Sequence, residues 1–557
     1  MCELGIKRGG FQRSMTYANP ALDSLTASGT PFEIAREGDA RFFRNAPTSL
    51  NDLMESARRH GAATAIVEGD VRYSFADVFA RRDALAATLD VAAGQRVAIA
   101  MRNTASWMIG FLAIIRVGAV AVLANSRAAG GEMRAAIEEC DVAVVLADDA
   151  RAAALRAAGY VGRIIEAKDF PTSADLTRPM PAPASDDPAA ILFTSGTTGR
   201  VKGAVLSHKN LVTGLMCVQL AGMVVLKSIA EKYDVPVETI MARAPQAASI
   251  LVFPLFHISG LGSGFLSQLL AGGKIVIMRR WDPEEALHLI QSEKVTMLTA
   301  VPTMLWDMLH RANIGTADLS SLTAVSSGGQ GLPLNLLDAV RKAIPGAFLG
   351  SGFGLTETAG AVAMSTGPDF LRKPASSGRV LALTDIRILG AADEILAPGM
   401  PGEIVVRGPM VMKEYWNRPE ETAQVLDKDG WFRTGDIGYV DDEGYIFIVD
   451  RKKDMVISGG ENIYCAEVER AITQLPDVSE VAAFGVPDER LGERLVVVLT
   501  SGSLTESGVQ DHVATSLAPY KSPTQVVFSR DPLPRNSAGK IDKNKLRAAW
   551  PAISGES

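Results

Sequence analysis

The segment Ile191-Leu192-Phe193-Thr194-Ser195-Gly196-Thr197-Thr198-Gly199-Arg200-Val201-Lys202-Gly203 concentrates groups that can hold anionic oxygens. Gly196, Gly199 and Gly203 admit backbone conformations and close approaches that a side chain would block. Four hydroxyls, the backbone N–H groups and the Lys202 ammonium can face phosphate. The segment is not the loop of P-loop NTPases, which sets Gly-Lys-Ser/Thr directly before a helix; here Lys202 is followed by Gly203 and a strand-like run at 204–206. A Gly/Thr-rich hairpin turn is the other reading of the same residues. Asp436, after Thr434-Gly435, reads as a turn aspartate, although its two acceptor oxygens also suit paired sugar hydroxyls. By themselves His257 reads as a packed loop histidine, Glu357 as a surface carboxylate and Arg451 as a solvated linker charge. Lys540 follows Gly539 in a loop flanked by Pro534 and precedes Ile541, which puts a mobile ammonium on a short, stiff support.

These groups need a scaffold, and the pattern from about residue 50 supplies one. Alanine-rich helical stretches alternate with β-branched runs at 96–100, 119–123 and 142–146, then at 189–194, 249–253, 274–278 and 296–300. Such alternation predicts an α/β fold with a substantially parallel sheet. Prolines 171, 179, 181, 183 and 188 make the stretch before the phosphate-type segment a loop. From about 380 to 450 Gly, Asp and short strands (385–389, 403–407) predict a small β unit. After the charged run Arg451-Lys452-Lys453-Asp454, a small α+β domain is expected. It has a helix carrying Val468, Ala471, Ile472 and Leu475 and ended by Pro476, strands at 481–485, 495–500 and 525–528, and a second helix with Val509, Val513 and Leu517. The expected division is 1–450, a linker at 451–454, and 455–557.

The chain has 557 residues, 47% of them hydrophobic and 21% charged, enough to bury a large core as an ordinary globular protein. Its net charge of −7 argues against a protein that neutralises many nucleic-acid phosphates. Any polyanion must then be met by local cations, such as the five basic residues against one acid between Arg535 and Arg547. Cys2, Cys140, Cys217 and Cys465 form no metal-ligand spacing and read as reduced thiols of a cytosolic protein. No signal peptide is expected. The most membrane-like stretch, 107–124, contains Arg116, Gly110 and Gly118 and reads better as a buried helix followed by a buried strand.

Seven segments carry a resemblance. They are Thr194 to Gly203, Phe253-Pro254-Leu255-Phe256-His257, Gly352-Phe353-Gly354-Leu355-Thr356-Glu357, Trp431-Phe432-Arg433-Thr434-Gly435-Asp436, Asp450-Arg451-Lys452-Lys453-Asp454, Ser458-Gly459-Gly460-Glu461-Asn462 and Pro534-Arg535-Asn536-Ser537-Ala538-Gly539-Lys540. In that order they resemble the adenylate-forming superfamily of acyl-CoA synthetases, carrier-protein adenylation domains and beetle luciferases, over nearly the whole chain. The resemblance implies that Thr194, Ser195, Gly196, Thr197, Thr198, Gly199 and Lys202 cradle ATP phosphates. It makes Glu357 a Mg²⁺ ligand assisted by Thr194, with Thr356 beside it. Gly352, Phe353, Gly354, Leu355 and Thr356 would line the nucleotide, with Phe353 near adenine, and Asp436 and Arg451 would meet the ribose. Gly329 and Gln330 would meet the nucleotide on its adenine side, in Ser327-Gly328-Gly329-Gln330-Gly331-Leu332-Pro333, which departs from the family's commoner Gly-Gly-Ala-Pro. His257, Gly328, Gly329, Phe353, Gly354 and Ala361 would line the acyl pocket, and Ser458, Gly459, Gly460 and Glu461 a CoA channel.

The activity so implied is a two-step ligation: a carboxylic acid and MgATP give an acyl-adenylate and pyrophosphate, and a thiol then attacks the mixed anhydride. Lys540 would stabilise the charge that builds on the α-phosphate. The C-terminal domain would turn about Lys453 between the half-reactions. Free CoA is the favoured acceptor, a carrier-protein phosphopantetheine the alternative, and a catalytically silent acyl- or nucleotide-binding protein the reading from another class. Medium- or long-chain fatty acids are the expected substrates, with aryl or sterol-side-chain acids behind them. The apolar stretch 221–248 is read either as part of an acyl entrance or as a surface helical hairpin. Monomer and homodimer are both left open.

Overall fold

The computed structural model describes residues 19–174, 181–195, 201–328, 334–452, 454–458, 461–475, 477–536 and 540–555. Two large sheets dominate its first three-quarters. One has seven strands in the order Glu414–Tyr415, Val201–Ser207, Pro188–Ser195, Val120–Leu123, Arg96–Ala100, Val144–Ala147, Ile164–Glu166. The last five run parallel, and Val201–Ser207 lies antiparallel between Pro188–Ser195 and Glu414–Tyr415. The other has nine strands, with a parallel centre of Phe348–Leu355, Ala324–Gly328, Met297–Ala300, Ala248–Leu251, Lys274–Ile277 and Thr64–Glu68. Antiparallel strands close its edges.

The parallel strands are buried on both faces, which is why they read as unbroken β-branched runs. The run at 107–124 divides as expected into the helix Ala105–Arg116 and the strand Val120–Leu123, both buried. Trp107 stacks on Phe111 there, and Phe265 meets both rings edge-on. A different element has the strongest apolar character. The 26-residue helix His208–Tyr233 is the one helix among the described residues that is long and apolar enough to cross a membrane. Its first half lies in the body, where a Cβ on Gly214 would come within 2.8 Å of the Ala359 carbonyl.

A four-stranded antiparallel sheet follows, ordered Asp385–Leu389, Gly402–Arg407, Phe432–Val440, Ile446–Arg451. The last sheet is built from Val456–Ser458, Glu461–Ile463, Glu480–Asp488, Gly492–Thr500 and Gln525–Phe528. Its two hydrophobic clusters draw only on residues from Val456 to Trp550. The helix expected to run to Pro476 stops at Ile472. Gln474 and Leu475 bond three residues back, since α geometry is disfavoured ahead of a proline. Cys140, Cys217 and Cys465 are free and buried.

Candidate active site

The strands of the phosphate-type segment form a hairpin, the second of its two readings. Pro188–Ser195 and Val201–Ser207 form an antiparallel hairpin whose tip, with Gly196, Thr197, Thr198 and Gly199, lies outside the described residues. At its mouth Thr194 faces Lys202 across the ladder. Gly203 serves packing: a Cβ there would stand 2.7 Å from Ile191 Cγ2, and its carbonyl accepts from Trp416 N at 2.7 Å.

That last bond brings in a residue the sequence did not single out. The short strand Glu414–Tyr415 pairs with Val201–Ser207, so the Tyr415 ring lies 5.1 Å from the Lys202 ammonium. Its hydroxyl donates to Glu357 Oε1 at 2.8 Å. Burial first, and then the Glu357 carboxylate, push the phenol well above its usual range, so it stays a donor. Glu357 is itself buried, which raises its pKa, and the Tyr415 bond opposes that rise. Its main-chain carbonyl accepts from Met412 N at 2.7 Å, so the segment 412–415 is fastened to Glu357 twice, once at its backbone and once at its carboxylate.

The turn that carries Glu357 is rigid. Thr358 Oγ1 donates to the Gly360 carbonyl at 2.8 Å and accepts from Leu355 N at 3.0 Å, and Ala359 takes a left-handed φ of 50°. Gly354, opposite Ala361 at a register shift, is obligatory, because a Cβ would fall 2.0 Å from the Gly360 carbonyl oxygen. Gly328 pairs with Gly352, and Phe353 packs on the core beside Ala361.

Asp436 and Arg451 face each other on neighbouring strands, with Arg451 Nε 3.1 Å from Asp436 Oδ1. Asp436 is buried and Arg451 is not. Lys540 comes from the C-terminal sheet's side. Its loop is a small hairpin: Arg535 bridges Ile541, Asn536 N donates to the Lys540 carbonyl at 2.8 Å, and Lys540 N donates to Asn536 Oδ1 at 3.1 Å. Partial burial and the positive field of Arg451, opposed by Asp436, bring the ammonium down to about 8. His257 feels the same cation. Burial, Arg127 and Lys540 hold it down to about 4, so the imidazole is neutral, and its buried Nε2 has no hydrogen-bond partner among the described residues.

Thr194 and Lys202 connect through Tyr415 to Glu357, Glu357 feels the charges of Arg451 and Asp436, and Lys540 feels the same pair and in turn acts on His257; Tyr415 and Thr358 are unforeseen supports. Ser458 and Glu461 pair across their own hairpin, and among the described residues no hydrogen bond or ion pair joins them to this cluster. Gly329, Gln330, Lys453, Gly459 and Gly460 lie outside the described residues. Among the described residues no group of three or more His, Cys, Asp or Glu could hold a metal. One buried carboxylate with a tethered Oε1 and a second oxygen to offer fits Mg²⁺, which takes one or two protein carboxylates and completes its shell with phosphate and water.

Such a cluster, with a phosphate hairpin, a lone metal-type carboxylate and a lysine delivered by a separate sheet, defines an adenylate-forming enzyme. The profile of the AMP-binding enzyme family matches residues 53–416, and that of the AMP-binding enzyme C-terminal domain matches 467–540. The chain belongs to this family and is an AMP-forming acid–thiol ligase of the acyl-CoA synthetase type, using ATP, Mg²⁺ and CoA. It is 38% identical over 499 residues to a feruloyl-CoA synthase of Amycolatopsis, covering 88% of this chain and 96% of that protein. It is 34% identical to a long-chain-fatty-acid–CoA ligase of Mycobacterium tuberculosis, covering 87% and 94%. The solved o-succinylbenzoate CoA synthetase of Bacillus subtilis, bound to its acyl-adenylate, superposes with a TM-score of 0.76 at 29% identity, over 89% of this chain and 98% of that one.

Proposed function

We propose that the protein converts a long or bulky apolar carboxylic acid to its CoA thioester through an enzyme-bound acyl-adenylate. Support for the substrate class comes from a cavity of about 1490 Å³, larger than the roughly 300–1,000 Å³ of ordinary ligand pockets, which lies beyond the expected acyl-pocket residues: His257, Phe353, Gly354 and Ala361 are not in its lining. Leu220, Ala221, Val224 and Val225 of the long helix line one side, and Ser326 and Met364 line another. Met364 pairs with Gly352, which puts the cavity's edge beside the nucleotide-side strand. Residues 221–226, Ser228, Ile229 and Lys232 border this cavity, which favours the acyl-entrance reading for the first part of 221–248, while Val237–Arg243 forms a second helix with no buried residue.

In the first step the acid's carboxylate attacks the α-phosphorus. Lys540 faces the charge that develops there, the 194–203 hairpin holds the departing phosphates, and Glu357, held by Tyr415, holds Mg²⁺. Mg²⁺ supplies charge neutralisation on the phosphates. Asp436 accepts from the ribose hydroxyls and Arg451 fixes Asp436. Neutral His257 borders the acyl carbonyl. In the second step the body 1–450 and the domain 455–557 turn about Lys453, which withdraws Lys540 and brings the Ser458–Glu461 hairpin to the thiol's path. A cytoplasmic location accords with the reduced, buried cysteines.

An aryl acid is the second reading, supported by the 38% identity to a feruloyl-CoA synthase. A CoA-dependent AMP-release assay across C6 to C18 fatty acids, ferulate and a polycyclic propanoate separates the two. Ala221→Trp, which fills the cavity, should lower the chain-length cut-off. A preference for ferulate, untouched by that substitution, would refute the long-acid reading.

A further inference from the structure

The junction between the body and the C-terminal domain is held differently on its two sides. On the body side the strand Ile446–Arg451 lies antiparallel to Phe432–Val440, Lys452 N donates to the Gly435 carbonyl at 2.9 Å, and Lys452 Nζ donates to Glu403 Oε2 at 3.0 Å. With Arg451 on Asp436, the chain up to residue 452 is fastened to the body. From the other side the helix Cys465–Ile472 reaches back across the junction with two hydrogen bonds. Ala466 N donates to Asp450 Oδ2 at 3.2 Å, and Arg470 Nη2 donates to the Ile448 carbonyl at 3.2 Å. Positions 466 and 470 are about one turn apart, so both bonds come from one face of the helix.

The helix depends on the first of these bonds. Its own N-cap position is Tyr464, whose side chain caps nothing, so the carboxylate that meets its first N–H groups and its positive end comes from Asp450, across the junction. Asp450 is 4% exposed, and burial raises its pKa to about 6, with Glu469 adding to the rise and Lys543 opposing it, so the group is ionised in assays near pH 8. Glu469, on the same helix, accepts from Ala483 N at 2.8 Å and from Lys543 Nζ at 2.8 Å. Lys543 opens the helix that follows the Lys540 loop. A continuous line of contacts thus runs from Asp450 through the helix 465–472 to the segment that carries Lys540.

We propose that Asp450 and Arg470 are positioning residues that clamp the C-terminal domain in the orientation presenting Lys540, and that this clamp is released for the thioester-forming step. The inference rests on the ligase reading above and on its turn about Lys453. Both bonds have one partner before residue 453 and one after it, so that turn breaks them, whereas the Lys543–Glu469 pair lies wholly within the moving domain. Bonds made in one orientation only shift the balance between orientations by their own free energy. Their loss weakens the first half-reaction and leaves in place the groups that carry out either one.

The test separates the half-reactions in wild type, Asp450→Ala, Arg470→Ala and the double variant. Acid-dependent ATP–pyrophosphate exchange reads the first, with whichever acid of the panel above wild type uses best. Conversion of that acid's synthetic adenylate to thioester by CoA, without ATP, reads the second. The double variant should lose roughly tenfold or more in kcat for exchange, the order of one charge-assisted hydrogen bond, while its KM for ATP stays within about twofold and thioester formation stays within about twofold of wild type or rises. Arg470→Ala, an exposed change that leaves the helix cap intact, should lose a smaller part of the same step, and Arg470→Lys should restore it. Exchange at the wild-type rate in the double variant, a loss confined to KM for ATP (the signature of a disturbed Arg451), or a parallel loss of both half-reactions would overturn the clamp. Wild type that catalyses both half-reactions keeps the ligase reading standing if the clamp fails; wild type that catalyses neither refutes that reading and the clamp with it.

Discussion

The Lys540 ammonium should titrate within reach of ordinary assays. In the free enzyme it sits at about 8 against a usual lysine value of 10.5, because partial burial and Arg451 disfavour the cation more than Asp436 restores it. If the cation is what lowers the adenylation barrier, kcat/KM for ATP in pyrophosphate exchange follows the protonated fraction, about 90% at pH 7 and about 10% at pH 9. The profile should fall roughly tenfold per pH unit above 8. Lys540→Ala should lose about 10² to 10³ in rate and the limb with it, the usual cost of removing one positioned electrostatic group. Lys540→Arg, whose charge does not titrate in this range, should be slower than wild type but flat to pH 10. Arg451→Gln should move the limb upward, since it removes the repelling charge. A wild-type profile flat to pH 9.5, or a limb that persists in Lys540→Arg, would refute the assignment.

Tyr415→Phe should raise the Mg²⁺ concentration for half-maximal exchange about tenfold, as expected when a buried carboxylate loses a hydrogen bond worth about 1.5–3 kcal/mol; an unchanged Mg²⁺ requirement would remove Tyr415 from the account. Metal-free ATP binding, followed by calorimetry in EDTA, should not change in that variant. His208 is fully buried, accepts from Leu50 N at 3.1 Å through Nδ1, and is held down to about 4 by burial despite Asp187 and Asp52. Its folded pKa lies below the unfolded 6.5, so stability is full above pH 6.5 and is lost as pH falls toward 4, by about 3 kcal/mol. Urea midpoints measured against pH should show that slope in wild type and a shallower one in His208→Asn. Gly354→Ala should cost more than about 2 kcal/mol and abolish exchange, because its Cβ would meet the Gly360 carbonyl oxygen; a neutral effect on the urea midpoint would contradict the tight bulge.

Much of this architecture is legible residue by residue. Strands buried on both faces declare themselves as β-branched runs, so 96–100 coincides with the observed strand. The half-exposed strands 385–389 and 525–528 coincide too, whereas those expected at 481–485 and 495–500 each run three residues further at one end. The hairpin strands at 188–195 and 201–207 flank the glycine- and hydroxyl-rich run that marked a turn in the sequence. The long helix is harder to see, because its second half borders a cavity and alternates apolar and charged residues without a clean stripe. Tyr415 could not be found from local pattern. Only the pairing of Glu414–Tyr415 with Val201–Ser207 brings it to Glu357, 58 positions away in sequence.

The most direct test of the central claim is a single-turnover experiment on the wild-type protein with MgATP and a C16 acid, chased with CoA and resolved by mass spectrometry. An enzyme-bound acyl-adenylate with one equivalent of pyrophosphate should form first, and CoA should convert it to acyl-CoA and AMP. Formation of ADP and phosphate, or acyl-CoA without a preceding adenylate, would contradict it.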